Sequence, residues 1–547
     1  MSVKLSDAQI EATLGEGNFL LTACPGSGKT TSIAGRVADL SNRGKRVALL
    51  SYTKIGRDEL RRSIERQHGV NLGGDNFVGT IHSFISQYLV SPFAHVLTGS
   101  GVPVRVNEAA ALAYDPPGVD STRFHFDLSG ALVQKYAGQI ADSSRESSLE
   151  ARKTAAKDGV VSYDDSLYLA FRLLSDMPDI AGALADRFDE IIVDEAQDAN
   201  EVQLAMLRIL KKAGLKSLVL VGDFDQSIYG FAGSRPELCK KLAADCGLQE
   251  RRITENFRSS QLICNTTAMF RAHKRPDVAV GPHKDVNVRP VLLMYDAANP
   301  MTVLQQFNEE VLDQLPVSIE SSACLTRSRA LMQAIRGTTL TQVTELAAAV
   351  MRLATSDAPV LTDLRDIESE IIRRAFGERR RKRDVDGYRL RDLAASLVSS
   401  LPAAEGNLRA WLDAVDEMLD DSAKSLDDSG NVSPGSRLSR GVTPQADWND
   451  RLGQAGDSSR VDSIHQAKGE SIDAVLVVAD PPREPWHTPQ AQVWASALRA
   501  GANLADEELR IFYVAITRAR KVLVLALPQD TGANVCRAFQ SAGFDVR

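Results

Sequence analysis

Between Phe19 and Leu40 the chain changes character in an order that few folds accommodate. Phe19-Leu20-Leu21-Thr22-Ala23 is a short apolar run, Cys24-Pro25-Gly26-Ser27-Gly28 is a Gly-rich turn, and Thr30 to Leu40 carries apolar residues at helical spacing. That order reads as strand, loop, helix. Glycines let backbone N–H groups turn toward an anion, and the helix that follows presents its positive end to it. Ala23-Cys24-Pro25-Gly26-Ser27-Gly28-Lys29-Thr30-Thr31 is therefore a candidate phosphate-binding loop. Lys29 is placed to reach the β- and γ-phosphates, and the Thr30 hydroxyl to hold Mg²⁺. The strict pattern opens with Gly where this chain has Ala23.

Further short apolar strands are expected at Val47 to Ser51, at Glu190 to Val193 and at Ser217 to Val221. A second set follows at Val291 to Met294, Ala323 to Leu325, Ala474 to Val478 and Val522 to Leu525. Short apolar strands alternating with helices signal parallel sheets covered on both faces, so the fold class is α/β with two such domains. Ligands of such sheets bind at the carboxyl ends of the strands. Between Met332 and Leu419 the pattern turns helical, with a basic cluster at Arg379 to Arg383. That cluster is open to two readings, a contact to duplex DNA and a solvated helix face. Two polar stretches, Asp142 to Gly159 and Asp420 to Asp447, interrupt the pattern, and the second is the best candidate for a disordered loop.

The strand at Glu190 ends in Asp194-Glu195-Ala196-Gln197-Asp198. Beside a phosphate loop, a strand-end Asp194 suits Mg²⁺, and Glu195 suits orienting and deprotonating an attacking water.

Composition excludes several classes. A hydrophobic fraction of 44% and a charged fraction of 25% are ordinary for a globular protein. Six scattered cysteines form no CxxC pair, which argues against zinc and disulfides and fits a reducing cytoplasm. The N-terminus lacks the apolar core of a signal peptide, and no run is long enough to span a bilayer. The net charge of −7 does not announce a nucleic-acid binder, yet a local groove of Lys and Arg suffices for one.

With DEAQD following its strand, the chain resembles the superfamily 1 helicases of the UvrD/Rep type, and other motifs appear in that family's order. Leu5 to Gln9 resembles the Q-motif, whose glutamine reads adenine; the amide of Gln9 can match a donor and acceptor edge. Ser51-Tyr52-Thr53-Lys54 and Gly79-Thr80-Ile81-His82-Ser83-Phe84 resemble DNA-contact motifs. Val221 to Phe231 resembles motif III, Glu255-Asn256-Phe257-Arg258-Ser259 the NYRS motif, Ile464 to Gly469 motif V, and Phe512 to Ala519 motif VI. The likeness runs from Leu5 to Arg520.

The resemblance implies two RecA-like parallel-sheet motor domains with two mostly helical inserted subdomains. Residues 1–90 and 160–258 would form motor domain 1A, with 91–159 as inserted subdomain 1B. Residues 259–331 and 449–547 would form motor domain 2A, with 332–448 as a reduced subdomain 2B containing the loop at about 420–447. ATP with Mg²⁺ would lie between the motor domains. Lys29, Thr30, Asp194 and Glu195 would come from the first, and Arg258 and Arg518 from the second as arginine fingers. Gln226 would sense the γ-phosphate. Tyr52, Thr53, Thr80, His82, Phe84, Tyr229, Phe231, His465 and Lys468 would contact DNA, the aromatic members by stacking on bases. Movement along single-stranded or tailed duplex DNA, in the 3′ to 5′ direction, is the implied activity.

The chain departs from the family in three places. Motif III continues as Phe231-Ala232-Gly233-Ser234, without the usual arginine. Motif V reads Lys468-Gly469-Glu470-Ser471-Ile472, with its glutamate one place early, which leaves Glu470 as a displaced ribose ligand. The inserted subdomains are short, and the chain ends soon after motif VI, so no appended nuclease is expected. The compact size and the KGE form of motif V are similar to helicase-like subunits of bacterial antiviral defence systems such as Gabija, whose companion is an OLD-family nuclease. A DNA-stimulated ATPase subunit of a nuclease complex, with little unwinding of its own, therefore stands beside a translocating helicase as an alternative.

Overall fold

The structure is a computed structural model. It describes residues 5–15, 17–70, 74–116, 119–135, 142–228, 235–271, 273–336, 345–355, 361–376, 387–426, 437–440, 442, 460–482, 487–499 and 506–547. The chain divides into two compact units. The first comprises Met1–Ala297, Glu309–Ser328 and Asp462–Arg547; the second comprises Ala298–Asn308 and Arg329–Val461.

The first unit holds two six-stranded sheets. The strands of one are β1 (Phe19–Ala23), β2 (Val47–Ser51), β3 (Phe77–Thr80), β4 (Glu190–Val193), β5 (Ser217–Gly222) and β6 (Gln249–Ile253). Their order is β6-β1-β5-β4-β2-β3, every pair parallel. Alternation along each strand sends successive side chains to opposite faces. Phe19, Leu21, Val47, Leu49, Ile192 and Val219 join one core, while Leu20, Ala48, Leu50, Ile191, Val193 and Leu218 join the other. Both faces are covered, which is why these strands read as continuous apolar runs. The other sheet contains β7 (Val291–Tyr295), β8 (Ser322–Thr326), β9 (Arg460–Ser463), β10 (Ile472–Val478), β11 (Ala519–Pro528) and β12 (Asp545–Val546), in the order β9-β8-β10-β11-β7-β12. This is the pair of RecA-like parallel sheets that the sequence implies.

The second unit is mostly helical among its described residues. Its main helices are Glu345–Thr355, Leu361–Phe376, Gly387–Ser399 and Leu408–Leu426, around a core with Ile367, Ile371, Trp411, Leu412 and Val415. The last of these helices corrects the reading of 420–447 as a loop at its start: Asp420 to Leu426 are helical, with Ala423 and Leu426 buried. Leu438 and Val442 are also buried in that core. Residues 427–436, 441 and 443–447 of the stretch and the basic cluster Arg379 to Arg383 lie outside the described residues. The polar stretch after Asp142 is likewise a helix, Asp142–Lys157, which buries the small residues Ser148, Ala151 and Ala155. No helix among the described residues is long and apolar enough to cross a membrane.

Candidate nucleotide site and nucleic-acid face

The loop after β1 is shaped by two glycines in the left-handed region, Gly26 at φ 74° and Gly28 at φ 73°. Both positions are also crowded. A Cβ at Gly26 would stand 2.5 Å from Cβ of Arg258, and one at Gly28 would stand 2.7 Å from Nε2 of Gln9. The helix Lys29–Asn42 starts at Gly28, so Lys29, Thr30 and Thr31 form its first turn. Gln9 sits in a short helix, Asp7–Thr13, closed by a capping box with Ser6. Its Nε2 donates to the Ser27 carbonyl at 2.9 Å, and its Oε1 accepts from the Ser6 backbone at 2.9 Å. From the other side, Asn256 donates to the Pro25 carbonyl at 2.9 Å and the Phe257 N–H donates to Gly26 at 2.8 Å.

The carboxyl ends of β4 and β5 supply the acids. Asp194 is buried, and its Oδ1 has no hydrogen-bond partner. Burial and the neighbouring Glu195 hold its carboxyl well above the usual carboxylate range. Glu195 occupies φ 53°, one of two non-glycine residues in the left-handed region among the described residues. Burial alone would raise its pKa, but Lys29 and Lys468, with a hydrogen bond from Gln197, draw it well below the usual range. Lys29 Nζ stands 3.6 Å from Glu195. Burial would discharge that lysine; Glu195, Asp223 and Asp194 outweigh it and keep the ammonium charged. Asp223, at the end of β5, is pushed up to about 6, chiefly by burial.

Two arginines complete the site. Arg518 follows the helix Glu507–Ile516 and is 2% exposed. Its guanidinium donates to Gln226 Oε1 at 2.9 Å and to the Val514 carbonyl at 2.9 Å. Gln226 in turn donates to Asp223 at 3.0 Å. Arg258 donates to the Thr517 carbonyl at 2.8 Å, and its Nε is buried without a partner. Burial first, and then repulsion from Arg518 and Arg520, lower Arg258 to about 9. Burial likewise lowers Arg518 to about 10. A buried guanidinium beside a partly buried one calls for an anion. The Glu470 carbonyl accepts from Arg518 at 3.4 Å, which sets that residue beside the same cluster.

These observations test the fit of a nucleotide with Mg²⁺. A cradle that any Cβ would fill, an orphaned buried carboxylate oxygen and a partnerless guanidinium nitrogen all suit a phosphate group with a divalent cation. Ala23 to Thr31, Asp194, Glu195, Gln226, Arg258, Glu470 and Arg518 come together as the sequence groups them.

The nucleic-acid residues fare unevenly. Ser51 and Thr80 are register partners, so the segments after β2 and β3 emerge side by side. Thr53 and Thr80 cap the helices Lys54–His68 and Ile81–Ile85 with their hydroxyls. His82 is half-buried against Tyr163, ring centroids 5.2 Å apart. His465 is half-buried beyond β9. Phe84 is a correction: at 4% exposure it packs with Phe77, Tyr88 and Phe188 and offers no face to a base. Tyr52 is partly buried, its hydroxyl donating to Gln203 at 3.0 Å. Lys468 Nζ lies 2.6 Å from buried Asp198, among the acids of the nucleotide site. Tyr229 and Phe231 lie outside the described residues. Sequence reasoning missed Asn256, Gln197 and Asp223 as loop and acid supports, and Tyr163, which is 47% exposed beside His82. A Tyr directly after a capping Ser, Ser162, was the available signal for the last.

Fold and site together define a tandem RecA-like P-loop protein. Residues 5–114 and 122–247 match the UvrD/REP helicase N-terminal domain, and residues 445–530 match the UvrD-like helicase C-terminal domain. The chain belongs to the UvrD-like superfamily 1A helicases. It is 27% identical over 282 residues to DNA helicase II of Escherichia coli (strain K12), covering 47% of this chain and 39% of that protein. It is 25% identical over 286 residues to the ATP-dependent DNA helicase PcrA of Leuconostoc citreum, covering 48% of this chain and 38% of that one. A shorter match, 33% over 150 residues, joins 25% of the chain to 12% of the exonuclease/helicase subunit RexA of Lactococcus lactis subsp. cremoris (strain MG1363). The matches thus span well under half the length of these relatives.

Proposed function

We propose that this chain is an ATP-driven translocase on single-stranded DNA, moving 3′ to 5′ and acting in the cytoplasm. The observation that carries the reading is the meeting of Arg258 and Arg518 with the phosphate loop and the paired acids, with Gln226 hydrogen-bonded to Arg518 across the two sheets. Lys29 and the turned N–H groups of the loop bind the β- and γ-phosphates. Thr30 and Asp194 hold Mg²⁺, which when bound neutralises phosphate charge. Glu195 takes the proton of the attacking water, and Arg258 and Arg518 stabilise charge that develops on the transferred group. Gln9 reads adenine and Glu470 faces the ribose. Thr53, Thr80, His82, His465, the edge of Tyr52, and the Tyr229 and Phe231 segment follow the DNA strand.

A second reading is favoured by the relative named as an exonuclease/helicase subunit. In it the chain is the DNA-stimulated ATPase of a nuclease complex, with a Gabija-type defence pair and an OLD-family nuclease as one form. Two measurements separate the readings: ATPase rate with and without single-stranded DNA, and displacement of one strand from a 3′-tailed duplex. Stimulation with displacement supports the translocase, stimulation without displacement supports the nuclease-complex reading, and indifference to DNA sinks both.

A further inference from the structure

Gln226 and Arg518 meet across the two sheets, and one buried side chain touches the supports of both. Arg271 follows the helix Gln261–Ala268 and is 2% exposed. Its Nε donates to Asp225 at 3.0 Å, and Asp225 is the neighbour of Gln226 in the turn Phe224–Gln226. Its guanidinium carbon stands 5.9 Å from the ring centre of Tyr513, which is buried in the helix that leads to Arg518. Its Nη1 grips both oxygens of Asp277, at 2.8 and 2.9 Å. Asp277 opens the short strand Val278–Ala279, whose parallel partner is Glu255–Asn256. Asn256 accepts from the Arg258 N–H at 2.8 Å while donating to the phosphate loop.

We propose that Arg271 is a positioning residue for hydrolysis, fixing Gln226 against Arg518 from outside the nucleotide site. The inference rests on the ATPase reading above. The turn that carries Gln226 is held from within by Asp223, which accepts from both the Asp225 N–H and the Gln226 side chain. Arg271 holds the same turn from without. A guanidinium suits this task because its planar fork serves two carboxylates and an aromatic face at once, which an ammonium cannot do. Asp277 is 8% exposed and Arg271 is its buried counter-charge, so the arrangement is rigid rather than a solvated ion pair. Arg271 touches none of the groups assigned to ATP, and the proposed route runs from its hydrogen bond with Asp225 to Gln226.

That dependence makes the test a double-mutant cycle on ATP turnover with saturating single-stranded DNA. Arg271→Gln is expected to lower kcat about ten- to hundredfold, with KM for ATP changed less than about twofold, as small misplacements of catalytic groups do. In a Gln226→Ala background the same change is expected to cost less than a further factor of about two. Losses that multiply in the double variant, or an Arg271→Gln protein that turns over like the parent, overturn the proposal. Should Arg271→Gln lack a cooperative melt, Asp225→Asn carries the cycle from the other end of the same hydrogen bond. Asp225 is 34% exposed, and the change keeps its size. Lys29→Ala separates the two readings. Turnover retained there sinks the site and the inference with it; turnover lost there, with multiplying losses at Arg271, sinks the inference alone.

Discussion

Glu195 sits in a backbone conformation that costs a residue with a side chain about 1–3 kcal/mol. Residues persist there only when their surroundings hold them, and here Lys29, Gln197 and Lys468 do so. The strained backbone aims an ionised carboxylate into the cradle beside the phosphate loop. Glu195→Gln keeps that shape and removes the base, so it should retain nucleotide binding while turnover falls by a factor of about 10² or more, measured as phosphate release. A second residue tests the electrostatics of the fold rather than of the site. Asp473 lies in β10, 2% exposed, and accepts from Lys521 at 2.9 Å, Arg520 at 3.1 Å and the Glu320 N–H at 3.1 Å. Burial would raise its pKa, but those donors outweigh it and hold the carboxyl below its usual value. A depressed value in the folded state stabilises the fold above the unfolded value of about 3.9, and that contribution is lost as pH falls through the folded value. Asp473→Asn should therefore lower the melting temperature at pH 7. The gap to the parent should narrow in melts below about pH 4; a gap independent of pH would mean that packing, not charge, is what Asp473 supplies.

At the scale of elements, the nucleotide loop was legible because its chemistry is local. A strand, two glycines and a helix start each leave a mark within a few residues, and the same holds for the strand ending in Asp194-Glu195. The edge strands β3 and β6 were not read. β6 carries Glu250, Arg251 and Arg252 among its residues, and only Ile253 is buried. Phe84 was misassigned because a large ring suits a core and a stacked base equally, and only burial decides. The partner of Lys468 is 270 residues away in the chain, so its pairing with Asp198 has no local signature. Arg271 is the first of several charges after the helix Gln261–Ala268, and no spacing rule singles it out. The loop itself gives the sharpest element-level prediction. Gly28 combines φ 73° with a Cβ position 2.7 Å from Gln9. Gly28→Ala must either strain the backbone or push Gln9 off the Ser27 carbonyl. Nucleotide affinity should fall at least about tenfold by fluorescence titration, whereas Gly44→Ala, also at positive φ but with open space around it, should bind normally.

For the whole molecule, the decisive arrangement is that one site is shared between two sheets. Gln226 meets Arg518, Asp198 meets Lys468, and Arg258 reaches the Thr517 carbonyl, each joining a segment before residue 260 to one after 460. A group that must be drawn from both sides is competent only when the sides are held together, so hydrolysis should respond to whatever favours that geometry. The segments after β2 and β3 emerge side by side, and His465 lies within hydrogen-bonding reach of the Ile228 backbone; a DNA strand that bridges these segments would favour it. Backbone phosphates are bound largely through counterion release, so affinity should fall steeply with salt even though the chain carries a net charge of −7. The expected result is ATP turnover that rises with single-stranded DNA at low salt. Between about 50 and 200 mM salt, the DNA concentration needed for half-maximal stimulation should climb by at least about tenfold. Turnover at saturating DNA should change far less, because the nucleotide groups are buried and screened little. Gln226→Ala should keep the salt dependence of DNA binding and lose the stimulation, since it removes the bond between Gln226 and Arg518 without touching the proposed DNA face. Turnover that is high without DNA and indifferent to salt would mean that the two sheets are already locked, and that the bonds joining them are structural rather than the transmission of a motor.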